Sequence, residues 1–177
     1  MATKSLYGAG AILDNSDVGN HRSRTVKLSN KGRYGVRAVF DIAFHSRGKA
    51  TQIKDISQRQ GIPPRFLEQI FQDLKRAGLV SSKRGPKGGY QLAQGPNEIR
   101  IGDIVRAVEG PVMLQTPPGT SKEAGDPRSR EVTEALFGEL SEQIEACLDA
   151  ITIEDLCERG EEAGLRRTPP RRYVYSI

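Results

Sequence analysis

The stretch that decides the fold runs from Pro63 to Gln94 and reads PPRFLEQIFQDLKRAGLVSSKRGPKGGYQLAQ. Its paired prolines, Pro63 and Pro64, suit the first turn of a helix, where a missing amide donor costs nothing and φ is already set. Apolar residues follow at helical spacing, Phe66, Leu67, Ile70, Phe71 and Leu74, until Gly78 ends the run. Two short extended segments, Leu79–Ser82 and Tyr90–Ala93, then flank the basic turn KRGPKGG. The expectation is a helix leading into a hairpin with a cationic tip. That shape suits duplex DNA, with the helix in the wide major groove and the tip along a neighbouring groove or the backbone.

Upstream, Ser29 is placed to cap a first helix over NKGRYGVRAVFDIAFHS, ending near Ser46. Gly32 and Gly35 weaken its propensity and predict close packing or a close approach to a backbone. Lys31 and Arg33 lie in its first turn, the unfavourable end for cations unless a phosphate faces it. Thr51 is a candidate cap for a second helix, QIKDISQRQ, ended by Gly61. Helix, glycine-containing turn, helix is by itself a weak signal, because many helical corners share it. The hairpin and basic tip that follow strengthen it.

Downstream, IGDIVRAVEG predicts a brief helix closed by Gly110 and Pro111, followed by a Pro/Gly/Ser/Thr-rich loop over 111–129. From Arg130 to about Ala150 the sequence predicts the longest helix. Val132, Leu136, Phe137, Leu140, Ile144, Cys147, Leu148 and Ile151 form its apolar stripe at three- and four-residue spacing. Such a helix outreaches a small winged domain, and a second copy of itself is the economical partner for the stripe. Thr152 is expected to cap a last helix. The organisation expected is a flexible extension over 1–27, a winged helix-turn-helix domain over 28–110, the loop, a helical dimerisation arm over 130–164 and a basic tail over 165–177. In fold class it is mainly α with a small β-hairpin wing and a long dimerisation helix.

Charge separates these parts. Lys31 to Leu92 carries 13 Lys/Arg against 4 Asp/Glu, whereas Ala93 to Leu165 carries 6 against 16. One half attracts a polyanion and the other repels it. Two cysteines, Cys147 and Cys157, make no disulfide framework, and Cys147 falls within the apolar stripe, where a packed thiol is expected. The sequence has no secretory leader pattern and no membrane-length apolar run, so a cytoplasmic protein is the expectation. An enzyme is not expected: His21 and His45 are remote from each other and from both cysteines, and GPKGGY lacks the ending and following helix of a phosphate loop.

The candidate DNA contacts are Lys31, Arg33, Lys83, Arg84 and Lys87 at phosphates or the minor groove, and Arg65, Glu68 and Gln69 toward base edges. A solvated basic face is the plain alternative for the first group. Glu68 has its own alternative, simply holding Arg65 or Arg84 in place.

These residues resemble a known family. SNKGRYGVRAVFDIA, FLEQIFQDLKRAGLVSSKRGPKGGYQLA, IGDIVRAVEG and ITIEDLC are similar to the matching blocks of the Rrf family of bacterial winged-helix transcriptional regulators, from about Val26 to Arg159. The resemblance implies a homodimeric regulator, usually a repressor, on double-stranded DNA. It places Glu68 and Arg65 at base-reading positions and Arg84 in the minor groove. Cluster-binding members carry three cysteines between the AVEG helix and the start of the long helix. Here Pro111 to Ala146 contains none, and Glu131 stands where the third ligand would fall. The chain therefore resembles the cluster-free branch. No metal site and no cofactor are expected, and control would come through a regulatory protein or a small ligand. Two alternatives are a small-molecule or metal sensor gated through the 111–129 loop and dimer helix, and a protein-interaction module whose partner controls its DNA binding.

Overall fold

The computed structural model describes residues 28–46, 48–86, 88–114 and 126–167. The chain runs α1 (Asn30–Ser46), α2 (Ile53–Gln60), α3 (Pro64–Arg76), β1 (Val80–Lys83), β2 (Gly89–Leu92), α4 (Ile101–Glu109), α5 (Pro127–Asp149) and α6 (Ile153–Glu162). This is the mainly helical architecture, with a two-stranded wing and a long late helix, that the sequence predicts. The N-terminal extension, most of the C-terminal tail and the middle of the loop lie outside the described residues.

Local chemistry explains the boundaries. Ser29 does cap α1, its Oγ accepting from the Lys31 and Gly32 amides at 3.0 and 3.4 Å. Pro63 and Pro64 open α3 as expected, and Gly61 closes α2 in the left-handed conformation at φ 63°. Thr152 caps α6 reciprocally with Asp155. Hydrogen bonds from the Thr152 amide and hydroxyl hold the Asp155 carboxyl below its ordinary value. The long helix begins three residues earlier than expected, because Asp126 accepts from the Arg128 amide and Pro127 occupies the first turn.

One expectation at this level fails. Thr51 does not cap α2, whose N-cap is Gln52 without a side-chain bond. Thr51 instead exchanges both backbone hydrogen bonds with Tyr90, each 2.8 Å, and so acts as a third, one-residue strand beside the wing. The strands also begin one residue later at β1 and one earlier at β2 than read, with Val80 opposite Leu92 and Lys83 opposite Gly89.

The core is one apolar cluster. Val39, Ile42 and Phe44 of α1, Ile56 of α2, Leu67, Ile70, Phe71 and Leu74 of α3, and Ile104 and Val105 of α4 are buried together. It continues into α6 through Ile153 and Cys157. Backbone bonds stitch that return, Ile101 amide to Ile151 carbonyl and Ile153 amide to Ile99 carbonyl, both 2.9 Å. Gly35 lies against Ile104 and Val108, and Gly32 against the Glu109 carboxylate, which is the close packing that two glycines in a helix foretell. Among the described residues no helix is long and apolar enough to cross a membrane.

Candidate nucleic-acid interface

Helix α1 is the post on which the helix-turn-helix pair is mounted. Asp41 is fully buried on it and receives a forked pair from Arg59 of α2, Nε at 3.0 Å and Nη2 at 2.6 Å. Gln60 donates to the same carboxylate at 2.9 Å. Arg37 donates to the Gln60 carbonyl at the end of α2, and Tyr34 meets Phe66 of α3 edge-on at 5.6 Å between ring centres. Three successive turns of α1 thus hold the end of α2 and the start of α3.

With its Leu67–Ile70–Phe71–Leu74 face buried, α3 turns Arg65, Glu68 and Gln69 outward, all exposed. Glu68 contacts neither Arg65 nor Arg84, so the bracing alternative has no counterpart among the described residues. The three side chains are free to meet a ligand.

The wing is locked to the same frame. Phe71 and Tyr90 stack at 4.3 Å, tying α3 to β2, and Lys75 donates to Ser82 at 2.9 Å, tying α3 to β1. Gln52 donates to the Pro86 carbonyl at 3.1 Å, which fastens the hairpin tip to the start of α2. Gly89, at φ 145°, lies so close to the Thr51 backbone that any Cβ would collide with it. Lys83 and Arg84 project from this braced tip, exposed. Lys87 lies outside the described residues.

The first-turn cations of α1 behave differently from the wing. Lys31 is paired with Asp73 of α3 at 2.6 Å, and this hydrogen bond chiefly holds the Asp73 carboxyl below its ordinary value. Arg33 remains exposed and donates to Asn30 at 2.7 Å. The anion at this helix start is internal: Glu109 accepts from the Gly32 amide and the Ser29 hydroxyl, each at 2.7 Å. A carboxylate there satisfies orphan amides and complements the helix dipole. The sequence alone suggests a phosphate for this role and gives no sign of Glu109. It gives none of the Asp41–Arg59–Gln60 cluster either, because no local pattern marks it.

Along α5 the expected stripe divides. Val132 is 71% exposed, and Leu136, Phe137, Leu140 and Ile144 also stand open. Leu148 and Ile151 instead pack partly against the core of their own chain, and Ile151 lies just past the helix end. Cys147, expected as a packed thiol, is exposed in the single chain.

Comparison with known proteins agrees with this geometry. A family model described as Rrf2, iron-dependent transcriptional regulator, matches residues 28–159. The HTH-type transcriptional regulator IscR of Aliivibrio salmonicida (strain LFI1238) is 42% identical over 131 residues, which cover 74% of this chain and 77% of that protein. Among solved structures, T. potens IscR aligns with a TM-score of 0.63 at 38% identity, covering 81% of this chain and 94% of that one. CymR (YrzC), the global cysteine regulator of B. subtilis, aligns with a TM-score of 0.60 at 36% identity, covering 76% and 98%.

Iron in that family description requires ligands, and the described residues present no grouped set of them. Cys157 is buried in the core, packed among apolar side chains, and burial pushes its thiol up to about 11. Cys147 is the other cysteine of the sequence, on a different helix. Among the described residues no three His, Cys, Asp or Glu side chains are grouped to hold a metal ion. By its winged-helix geometry and its match over residues 28–159, the chain belongs to the Rrf2 family, as a sequence-specific DNA-binding transcriptional regulator, not an enzyme, that lacks the ligands for a cysteine-held iron–sulfur cluster.

Proposed function

We propose that this protein is a cytoplasmic homodimeric repressor that binds an imperfect palindrome in double-stranded DNA. One observation carries the reading: Arg65, Glu68 and Gln69 on the open face of α3 share a braced frame with Lys83 and Arg84 on the wing. The helix enters the major groove, where Arg65 and Gln69 donate to base edges and Glu68 accepts from cytosine N4. Arg84, with Lys83 and Lys87 beside it, follows the minor groove or its phosphates. Arg33 reaches a flanking phosphate, and Lys31 lies beside it with its charge largely offset by the Asp73 carboxylate. The open residues of α5, Val132, Leu136, Leu140 and Ile144 with Cys147, meet the same helix of a second copy, which matches a two-fold site on DNA. Leu148 and Ile151 continue that stripe onto the core of their own chain. Control comes from a regulatory protein or a small ligand acting on this dimer, not from cluster chemistry.

The test compares two variants on a panel of duplexes selected from a random pool by the wild type, over a range of salt. Arg84→Ala should weaken binding to every member and shallow the salt slope by about one counterion. Glu68→Ala should change the order of preference by roughly 1–3 kcal/mol at one base position. Identical scaling of all affinities by both variants would remove Glu68 from base reading. Sedimentation of Leu140→Glu should give a monomer; an intact dimer would move the interface elsewhere.

A further inference from the structure

Arg106 of α4 faces the base of the long arm. Its guanidinium donates to both carboxylate oxygens of Asp149 on α5, Nη2 at 2.7 Å and Nη1 at 3.1 Å. It also donates to Asp103 on its own helix at 2.9 Å and lies 3.9 Å from Glu145, one turn up α5. Glu145 in turn accepts the Val112 amide at 3.0 Å, and Ser141 accepts the Leu114 amide at 2.9 Å. The segment leaving α4 is therefore bonded along the same side of α5. Gly102 completes the joint, because a Cβ there would strike the Asp149 carboxylate. The cluster is only partly shielded, with the Arg106 side chain 31% exposed and Asp149 29%.

A fork on two oxygens constrains angle as well as distance, which a single point charge would not do. The Ile101–Ile151 and Ile153–Ile99 backbone pairs hold the arm where it re-enters the core, beyond the end of α5. Arg106 acts on the helix itself, within its last turns. In a two-fold assembly, any swing of α5 about that point displaces one reading head relative to the other. The displacement grows with the length of the arm.

We propose that Arg106, through Asp149 and Glu145, fixes the angle between each reading head and its arm and so determines which half-site spacing the dimer accepts. Arg106 is a positioning residue that touches no base. The inference rests on the dimeric, palindrome-binding reading above.

The experiment uses the full chain and the palindromic duplex selected by the wild type, with one or two base pairs inserted or deleted at its centre. Each base pair turns one half-site by about 34° and moves it by about 3.4 Å. The wild type should lose at least roughly tenfold in affinity per altered base pair. Arg106→Gln should bind a single half-site duplex within about twofold of the wild type and sediment as a dimer, yet its affinities across the spacing series should converge to within about threefold. Asp149→Asn, which removes the joint from the arm side, should flatten the series in the same way and provides the reading if Arg106→Gln folds poorly. An unchanged, sharp optimum in either folded variant overturns the role of the joint. A wild type that is monomeric, or indifferent to spacing, overturns the dimeric reading and this inference with it; a sharp wild-type optimum retained by the variants overturns this inference alone.

Discussion

Replacing Asp41 by asparagine keeps the shape of the side chain and removes a charge from a site with no solvent exposure. The carboxylate takes two donors from Arg59 and one from Gln60, all within 3.0 Å at their shortest contacts. An amide can accept from one of them, but its own N–H groups then face the guanidinium. Removing one partner of a buried pair costs about 3–5 kcal/mol, mainly because the remaining charge is left uncompensated. Arg59 is 23% exposed, so water recovers part of that loss and the low end, about 3 kcal/mol, is expected. At about 2–4 °C per kcal/mol for a chain of this size, the thermal midpoint should fall by about 6–12 °C. A double-mutant cycle with Arg59→Met isolates the pair: the double variant should be more stable than the sum of the single losses predicts, by about 2 kcal/mol. Urea unfolding of the four proteins supplies the numbers. A loss below about 1 kcal/mol for Asp41→Asn, or strictly additive single losses, would refute the argument that this pair mounts α2 on α1.

Three further outcomes follow from the same geometry. Glu109→Ala should cost about 1 kcal/mol in urea unfolding, since it strips the acceptor from the Gly32 amide and the Ser29 hydroxyl at the start of α1; no loss would mean that water serves those donors equally well. Asp73 has its carboxyl lowered by Lys31, so its contribution is fully present above the ordinary value of 3.8 and is lost as the pH falls through the folded value. Asp73→Asn should therefore lower the urea midpoint at pH 7 and converge with the wild type in strong acid, and a constant gap at all pH values would contradict the pairing. In a Cys147→Ser background, the remaining thiol should react with an aromatic disulfide reagent only after unfolding, because Cys157 is buried with its pKa raised to about 11; a rapid stoichiometric reaction would contradict its burial.

What is legible in the sequence is whatever local chemistry dictates. Pro63, Pro64, Gly61 and Gly78 punctuate α3 without help from the rest of the chain. The spacing of Leu67, Ile70, Phe71 and Leu74 then leaves Arg65, Glu68 and Gln69 on the far side by geometry alone. Thr51 misleads because a hydroxyl before an amphipathic run resembles a cap, while its true partner, Tyr90, lies across the wing. Lys31 and Glu109 are hidden for the same reason: Asp73 and Ser29, the groups they meet, are 42 and 80 positions away in the chain. The true start of the long helix is written in Asp126 and Pro127, a cap and a first-turn proline that a reading from the apolar stripe alone passes over.

The tie between Gln52 and the Pro86 carbonyl, with the Thr51–Tyr90 pair behind it, means that the wing is no independent finger. A hairpin this short would, if free, lose conformational entropy each time it settled on a groove. Here those bonds tie the described part of the hairpin to the start of α2 before any duplex arrives, so helix and wing are held in one frame. A duplex that meets both has to supply the adjustment itself, by bending or by changing its groove width between them. On the DNA-binding reading proposed above, base pairs that no side chain touches would then enter the affinity through their stiffness, and flexible pyrimidine–purine steps in that interval would become part of the recognised site.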